Sequence, residues 1–170
     1  MMRFDRILLD IRAAELPLTL RILPLFNGPV ETIDAPEASA RLDGSHPEAT
    51  HMPGAKRVLL LTLNPGAFFK PMGGDPAVQD SERSRSIRFE MFQGCPLDCV
   101  YCFCQEYLSC HHTVAFMNID QLSVHVESLS SAVIPGSMRL VTGDIADSLA
   151  LGDVSVAMHA YAAEVIPGSR

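Results

Sequence analysis

The sequence predicts an α/β fold built on a parallel sheet, and two observations carry that reading. Residues 58–63 form a near-continuous apolar run between Lys56-Arg57 and Asn64-Pro65-Gly66, the pattern of a strand buried on both faces. From Thr113 onward the pattern alternates strand, helix, strand, helix, as chained βα units do. With 48% apolar and 19% charged residues the composition is that of a globular protein rather than a disordered one. At 170 residues the chain is long enough for one ordinary domain, or one compact domain with a small appendage.

Taken in order, residues 4–11 read as a strand, with Ile7, Leu8, Leu9 and Ile11 as its apolar run. Leu16, Leu20 and Leu23 then recur at helical spacing, which predicts a helix over 15–26. Pro17 sits in its first turn, where a missing N–H costs little, and Pro24 limits its end. Residues 30–33 predict a second strand. Residues 34–55 hold Pro36, Pro47, Pro53, Gly44 and Gly54 among scattered charges and are read as a loop, with His46 and His51 solvated. After the 58–63 strand comes a second loop over 70–86, and residues 87–93 deliver the chain to Gly94. Residues 113–117 are strand-like. Asn118 is placed to cap the next helix with Gln121 as its capping-box partner, and Ile119, Leu122, Val126, Leu129 and Val133 form its apolar stripe. Residues 138–141 make a short strand, 142–152 a loop, and Val154, Met158, Tyr161 and Val165 a last helical stripe.

Bulk properties narrow the function. A net charge of −7 argues against a strongly basic groove for nucleic acid, although Arg83, Arg85 and Arg88 gather just ahead of the cysteines. Asp5, Arg6, Asp10, Arg12 and Glu15 break the first apolar stretch, so neither a signal peptide nor a membrane span is expected, and a reducing cytoplasm is the default compartment. All five cysteines lie between Cys95 and Cys110. An odd, clustered set without export signals points to metal ligands or reactive thiols rather than disulfides.

Cys95, Cys99 and Cys102 follow the pattern Cys-x3-Cys-x2-Cys. A cubane iron–sulfur cluster normally takes four thiolates, so three leave one iron open, and an open position is where a metal site does chemistry. On that reading the free iron takes the amino and carboxylate groups of S-adenosylmethionine, and one electron passed to the sulfonium releases a 5′-deoxyadenosyl radical. Other chemistries stay open. Cys99 and Cys102 also make a Cys-x-x-Cys pair that Cys104, Cys110, His111 or His112 could complete as a zinc tetrahedron. A ferredoxin-type carrier would need a fourth cysteine in register, and Cys104, two residues after Cys102, is tight for that corner. Cys104 or Cys110 could also be a redox-sensing thiol. His111 and His112 are read as surface histidines. Thr142-Gly143-Asp144 follows the strand expected beside the cysteine strand, where Gly143 could let the backbone approach a ligand and Asp144 could bind an ammonium. Asp147 and Ser148 are weaker candidates.

The stretch Gly94-Cys-Pro-Leu-Asp-Cys-Val-Tyr-Cys-Phe-Cys-Gln-Glu-Tyr-Leu resembles the cluster loop of the spore photoproduct lyase family of radical S-adenosylmethionine enzymes. Residues 57–71 look like the segment that precedes it in that family, and residues 142–151 look like its second cofactor loop. The opening residues 3–10 and 18–23 are similar more weakly. This resemblance implies a small N-terminal α/β segment over 1–64, a linker over 65–86, and the first part of a partial (β/α)6 barrel over 87–170. It implies a 4Fe–4S cluster on Cys95, Cys99 and Cys102, and S-adenosylmethionine beside Tyr101, Gly143 and Asp144. The implied partners are DNA carrying a thymine photoproduct and a flavodoxin- or ferredoxin-type electron donor. Family members are longer than this chain. They carry a cysteine hydrogen donor where this sequence has Val141, and usually leucine where it has Cys104. A shortened barrel is expected to leave residues 161–166 without a neighbour to pack on.

Overall fold

The computed structural model describes residues 4–26, 28–50, 54–71, 86–97, 99–121, 139–142 and 146–166. The first strand, β1 (Arg6–Asp10), pairs in parallel with β2 (Val30–Ile33) on one side and β3 (Val58–Thr62) on the other. In turn β3 pairs in parallel with β7 (Thr113–Phe116), and β6 (Phe92–Gln93) closes that edge antiparallel to β7. The strand order is β2-β1-β3-β7-β6. Every residue of β3 is buried, as its apolar run predicts, with Leu59, Leu60 and Leu61 fully enclosed; each such leucine stabilises the fold by about 1.5–3 kcal/mol. By contrast β2 exposes Val30, Glu31 and Thr32, and the Arg6–Glu31 ion pair at 2.7 Å sits over this edge.

Strand order reverses direction at β1, and in parallel sheets the crevice at such a reversal often takes a ligand. Here it is sealed. The Asp10 carboxylate is fully buried and accepts from the Thr62 hydroxyl at 2.6 Å and from Arg12 at 2.6 Å. Burial alone would raise this carboxyl, but the Arg12 and Thr62 donors outweigh it and hold it below its ordinary value.

The first helix is shorter than predicted, α1 (Pro17–Ile22), and continues as a 3-10 turn, Leu23–Leu25. Pro24 has no N–H to donate back into the helix, which stops regular α-helical bonding there. Its buried face is Leu18, Thr19 and Ile22, leaving Leu20 exposed, so the stripe read from Leu16, Leu20 and Leu23 is rotated from the true one. The loop expected over 34–55 is largely helical: α2 (Ala35–Leu42), α3 (Pro47–Thr50) and a 3-10 turn, Gly54–Arg57. Asp34 caps α2 by accepting from the Glu37 N–H at 2.9 Å. Of this helix only Ala38 and Arg41 are buried, so no apolar stripe betrays it.

A second sheet has the order β4-β5-β8. It joins β4 (Phe69–Pro71) antiparallel to β5 (Ser86–Phe89), and β5 in parallel to β8 (Arg139–Val141). The single strand expected before the cysteines is therefore two strands in two sheets, with Glu90 and Met91 carrying the chain between them. Phe68 fastens the sheets together, its ring edge-on to both Phe89 and Phe116 at 6.4 Å. Such pairs add about 0.5–1.5 kcal/mol beyond their burial.

Asn118 does not form the predicted capping box. Its side chain accepts from the Asn64 N–H at 2.8 Å and donates to the Asn64 carbonyl and to Gln121, joining the exits of β3 and β7. Residues 119–121 form a 3-10 turn, and the stripe from Leu122 to Val133 lies outside the described residues. The short turn α4 (Cys104–Tyr107) falls in the cysteine loop. The last helix, α5 (Asp153–Val165), buries Val154, Met158 and Tyr161 as predicted. It does have a neighbour, which corrects the expectation for residues 161–166: it packs on α1. Arg21 pairs with Glu164 at 2.8 Å and lies 4.7 Å over the Tyr161 ring. The Tyr161 hydroxyl donates to the Asp120 carboxylate; burial and that bond push it up to about 12. No described helix is long and apolar enough to cross a membrane.

Candidate functional site

Gly94 turns the chain out of β6 into the cysteines with φ +73°, and a Cβ built there would lie 2.5 Å from the His112 carbonyl oxygen. Only glycine fits that approach. Beyond it, Cys95, Cys99 and Cys102 are free and half-buried. Their loop is held by its carbonyls. The Cys99 carbonyl accepts from the Cys102 N–H at 3.0 Å and from Gln105 Nε2 at 2.8 Å. The Leu97 carbonyl accepts from Lys56 Nζ at 3.0 Å.

Cys95 and Cys102 line one half-open cavity together with Lys56, Gln105, Cys110 and His111. Its volume is about 20 Å³, room for roughly one water, and Cys99 is not in its wall. Among the described residues no three His, Cys, Asp or Glu side chains converge as a metal site. The three cysteines thus share a loop but not yet a common focus. Their chemistry fits a soft metal or cluster all the same: three free thiols, with no carboxylate among the described residues of the cavity wall.

The rim of the loop is apolar and exposed. Val100 is 99% and Tyr101 87% accessible, and Phe103 and Tyr107 also face solvent. Tyr101 is therefore not a core residue, which removes ordinary packing as its role. Cys110 is fully enclosed, and burial pushes its thiol up to about 11. It is protonated at neutral pH and shielded from solvent, so it does not suit a redox sensor. The backbone of Cys104 opens α4.

His112 is not a surface histidine. It is fully buried, with Nδ1 3.0 Å from the Ala55 carbonyl and Nε2 3.2 Å from Arg41 Nη1. Nδ1 must donate to the carbonyl, so Nε2 accepts from Arg41 and the ring is neutral. Arg41 is itself held by Glu37 at 2.7 Å and Glu48 at 3.1 Å. Burial, more than the nearby Arg41 charge, lowers the His112 pKa from its ordinary 6.5. The unfolded chain then takes up a proton near 6.5 that the folded chain refuses, so stability is full above that value and falls as pH drops below it. Urea unfolding at about pH 5.5 and pH 7.5 should show a lower midpoint in acid, and His112→Asn should reduce that difference.

Gly143 and Asp144 lie outside the described residues. The strand before them, β8, runs parallel to β5, with Val141 opposite Arg88, and not beside β6, the strand that enters the cysteine loop. The Thr142 and Ser148 hydroxyls are bonded at 2.8 Å, and exposed Asp147 accepts from the Leu149 N–H at 2.8 Å as a turn. The cysteine loop follows β6 in the first sheet, whereas residue 142 follows β8 in the second. Arg83 and Arg85 also lie outside the described residues, while Arg88 sits 3.5 Å from Glu90. Lys56 and Arg41 are residues that sequence reasoning missed, and His112 is one that it placed at the surface. Only the Lys56-Arg57 pair bordering β3 could have flagged the first, and nothing local marks Arg41.

No protein-family model matches the sequence, and no curated protein sequence does. Solved structures do. A double mutant of spore photoproduct lyase with bound AdoMet and dinucleoside spore photoproduct aligns with a TM-score of 0.67 at 13% identity, over 93% of this chain and 45% of that one. A single mutant with dinucleoside spore photoproduct gives 0.67 at 14%, over 94% and 46%. Spore photoproduct lyase complexed with dinucleoside spore photoproduct gives 0.65 at 13%, over 93% and 45%. This chain has the fold of part of spore photoproduct lyase. It spans less than half the length of those lyase structures, and its mixed, mostly parallel α/β arrangement matches the fold class read from the sequence.

Proposed function

We propose that this chain is an iron–sulfur protein of the radical S-adenosylmethionine type, binding a 4Fe–4S cluster through Cys95, Cys99 and Cys102. The observation that carries the reading is the combination of three free thiols on one loop with the lyase fold. When bound, such a cluster supplies an electron to the sulfonium of S-adenosylmethionine at its open iron. The chain's own residues bind and orient. Gln105 and Lys56 hold the Cys99 and Leu97 carbonyls of the loop that carries the thiols. Tyr101 and its apolar neighbours on the rim cover the cofactor and exclude water, which accounts for their exposure in the free chain. Gly143 leaves room for the cofactor backbone, and Asp144 accepts its ammonium.

The proposed substrate is a thymine photoproduct in DNA, by analogy with the dinucleoside spore photoproduct in the lyase structures. The proposed electron donor is a flavodoxin or ferredoxin type protein, in a reducing cytoplasm that keeps the thiols free. In architecture we propose that β5 and β8 begin a partial (β/α)6 barrel over 87–170, joined by the 65–86 linker to the 1–64 segment, with β7 packed into the sheet of that segment.

The experiment is anaerobic reconstitution with iron and sulfide, followed by S-adenosylmethionine and a low-potential reductant. Release of 5′-deoxyadenosine is the expected result. A colourless protein that retains zinc and releases none would overturn the reading in favour of a zinc-stabilised binding module.

A further inference from the structure

We infer that Gln105 is a positioning residue for the cluster ligands, and that its side-chain N–H fixes Cys99 relative to Cys102. This rests on the cluster reading above and deepens it. Gln105 is the second residue of α4, the short turn that follows the third ligand. Its main-chain N–H donates to the Cys102 carbonyl at 3.3 Å, and its side-chain Nε2 reaches further back to the Cys99 carbonyl at 2.8 Å. That Cys99 carbonyl also accepts from the Cys102 N–H at 3.0 Å. Gln105 and two of the ligand residues are thus tied together by three hydrogen bonds. Gln105 also lines the cavity beside Cys95 and Cys102, so it is bonded to the residue of one ligand and shares a wall with the other two.

The residue type matters. A carbonyl oxygen at 2.8 Å needs a donor opposite it, so the amide nitrogen of Gln105, and not its oxygen, faces Cys99. The bond bears on Cys99 in particular because that cysteine stands outside the wall that Cys95 and Cys102 share. Gathering three thiols on one cluster costs main-chain freedom, and a loop held beforehand has already lost it. Removing the Gln105 donor leaves the Cys99 carbonyl its bond from the Cys102 N–H. No carbonyl is then left unsatisfied, and the fold has little to lose. The loss falls instead on the metal, because partners that orient its ligands are commonly worth about tenfold or more in affinity.

Gln105→Met removes the donor at nearly the same length. Gln105→Arg returns an N–H at the same number of bonds from the main chain. Each protein is reconstituted anaerobically with iron and sulfide, and iron release to a chelator is followed in about 0.5 M salt, which screens much of the charge that arginine adds. The methionine variant should release iron about tenfold faster than the native chain, and the arginine variant should stay within about threefold of it. In the metal-free proteins, iodoacetamide should alkylate Cys99 several-fold faster in the methionine variant, as read by mass spectrometry. The enclosed Cys110 should stay unreacted in both. A merely structural part for Gln105 would open Cys110 as well.

Equal rates of iron release from the native and methionine proteins overturn the inference. So does an arginine variant that loses iron as fast as the methionine one, since a donor at that place is then not what holds the ligand. Gln105→Ala is the second neutral variant should methionine expose Cys110, and the same criterion applies to it. The alkylation comparison needs no cluster. A native chain that takes up none defeats the cluster reading itself, while equal alkylation of Cys99 in the two metal-free proteins overturns the hold of Gln105 on that residue.

Discussion

Replacing Cys99 by alanine is expected to abolish cluster uptake while leaving the fold intact. The two effects separate because Cys99 contributes to the loop through its main chain. Its carbonyl accepts from the Cys102 N–H and from Gln105 Nε2, and alanine keeps that carbonyl. Its thiol is half-buried and stands outside the cavity that Cys95 and Cys102 share. Its loss should therefore cost little stability, within about 0.5 kcal/mol for a change away from the core. A cubane left with two thiolates has lost half of the usual four ligands. After anaerobic reconstitution the variant should show no broad visible charge-transfer absorption and no bound iron or sulfide beyond background. A variant that still binds a full complement would remove Cys99 from the ligand set.

Gly94→Ala should strongly destabilise the chain at the entrance to the cysteine loop. The backbone there has φ +73°, and the new Cβ would stand 2.5 Å from the His112 carbonyl oxygen, a main-chain atom that cannot swing aside. A left-handed conformation costs about 1–2 kcal/mol for a residue with a Cβ, and the clash adds about 1–3 kcal/mol of overpacking strain. The expected loss is about 2–5 kcal/mol, read as a lower urea midpoint. Because Gly94 immediately precedes Cys95, iron uptake should fall as well. Gly54→Ala is the control: a Cβ there meets nothing within 4 Å, and stability should hold within about 0.5 kcal/mol. Equal midpoints for the two variants would show that the β6 exit is not the tight passage its geometry indicates.

What could be read from residues alone was whatever has a strong local period or a strong local chemistry. The 58–63 run needs both faces covered to stay out of water, so it had to be a central strand, and β3 is one. Val154, Met158 and Tyr161 step along one helical face, and α5 buries that face. Cys95, Cys99 and Cys102 carry ligand chemistry in their spacing whatever surrounds them. Helix α2 escaped because an arginine occupies one of its two buried positions, and its charge there is balanced by Glu37 and Glu48 from outside any apolar pattern.

Distance along the chain decided the rest. Lys56 meets Leu97, His112 meets both Arg41 and Ala55, and α5 meets α1. None of these partners lies within a turn or two of the other, so no local pattern could announce them. The sequence by itself determined which side chains can ligate a metal and which strand must be innermost, because those follow from side-chain chemistry and periodicity. Only the tertiary structure decided that a lysine ammonium and two of those thiols share one wall, because that depends on how two sheets are brought together.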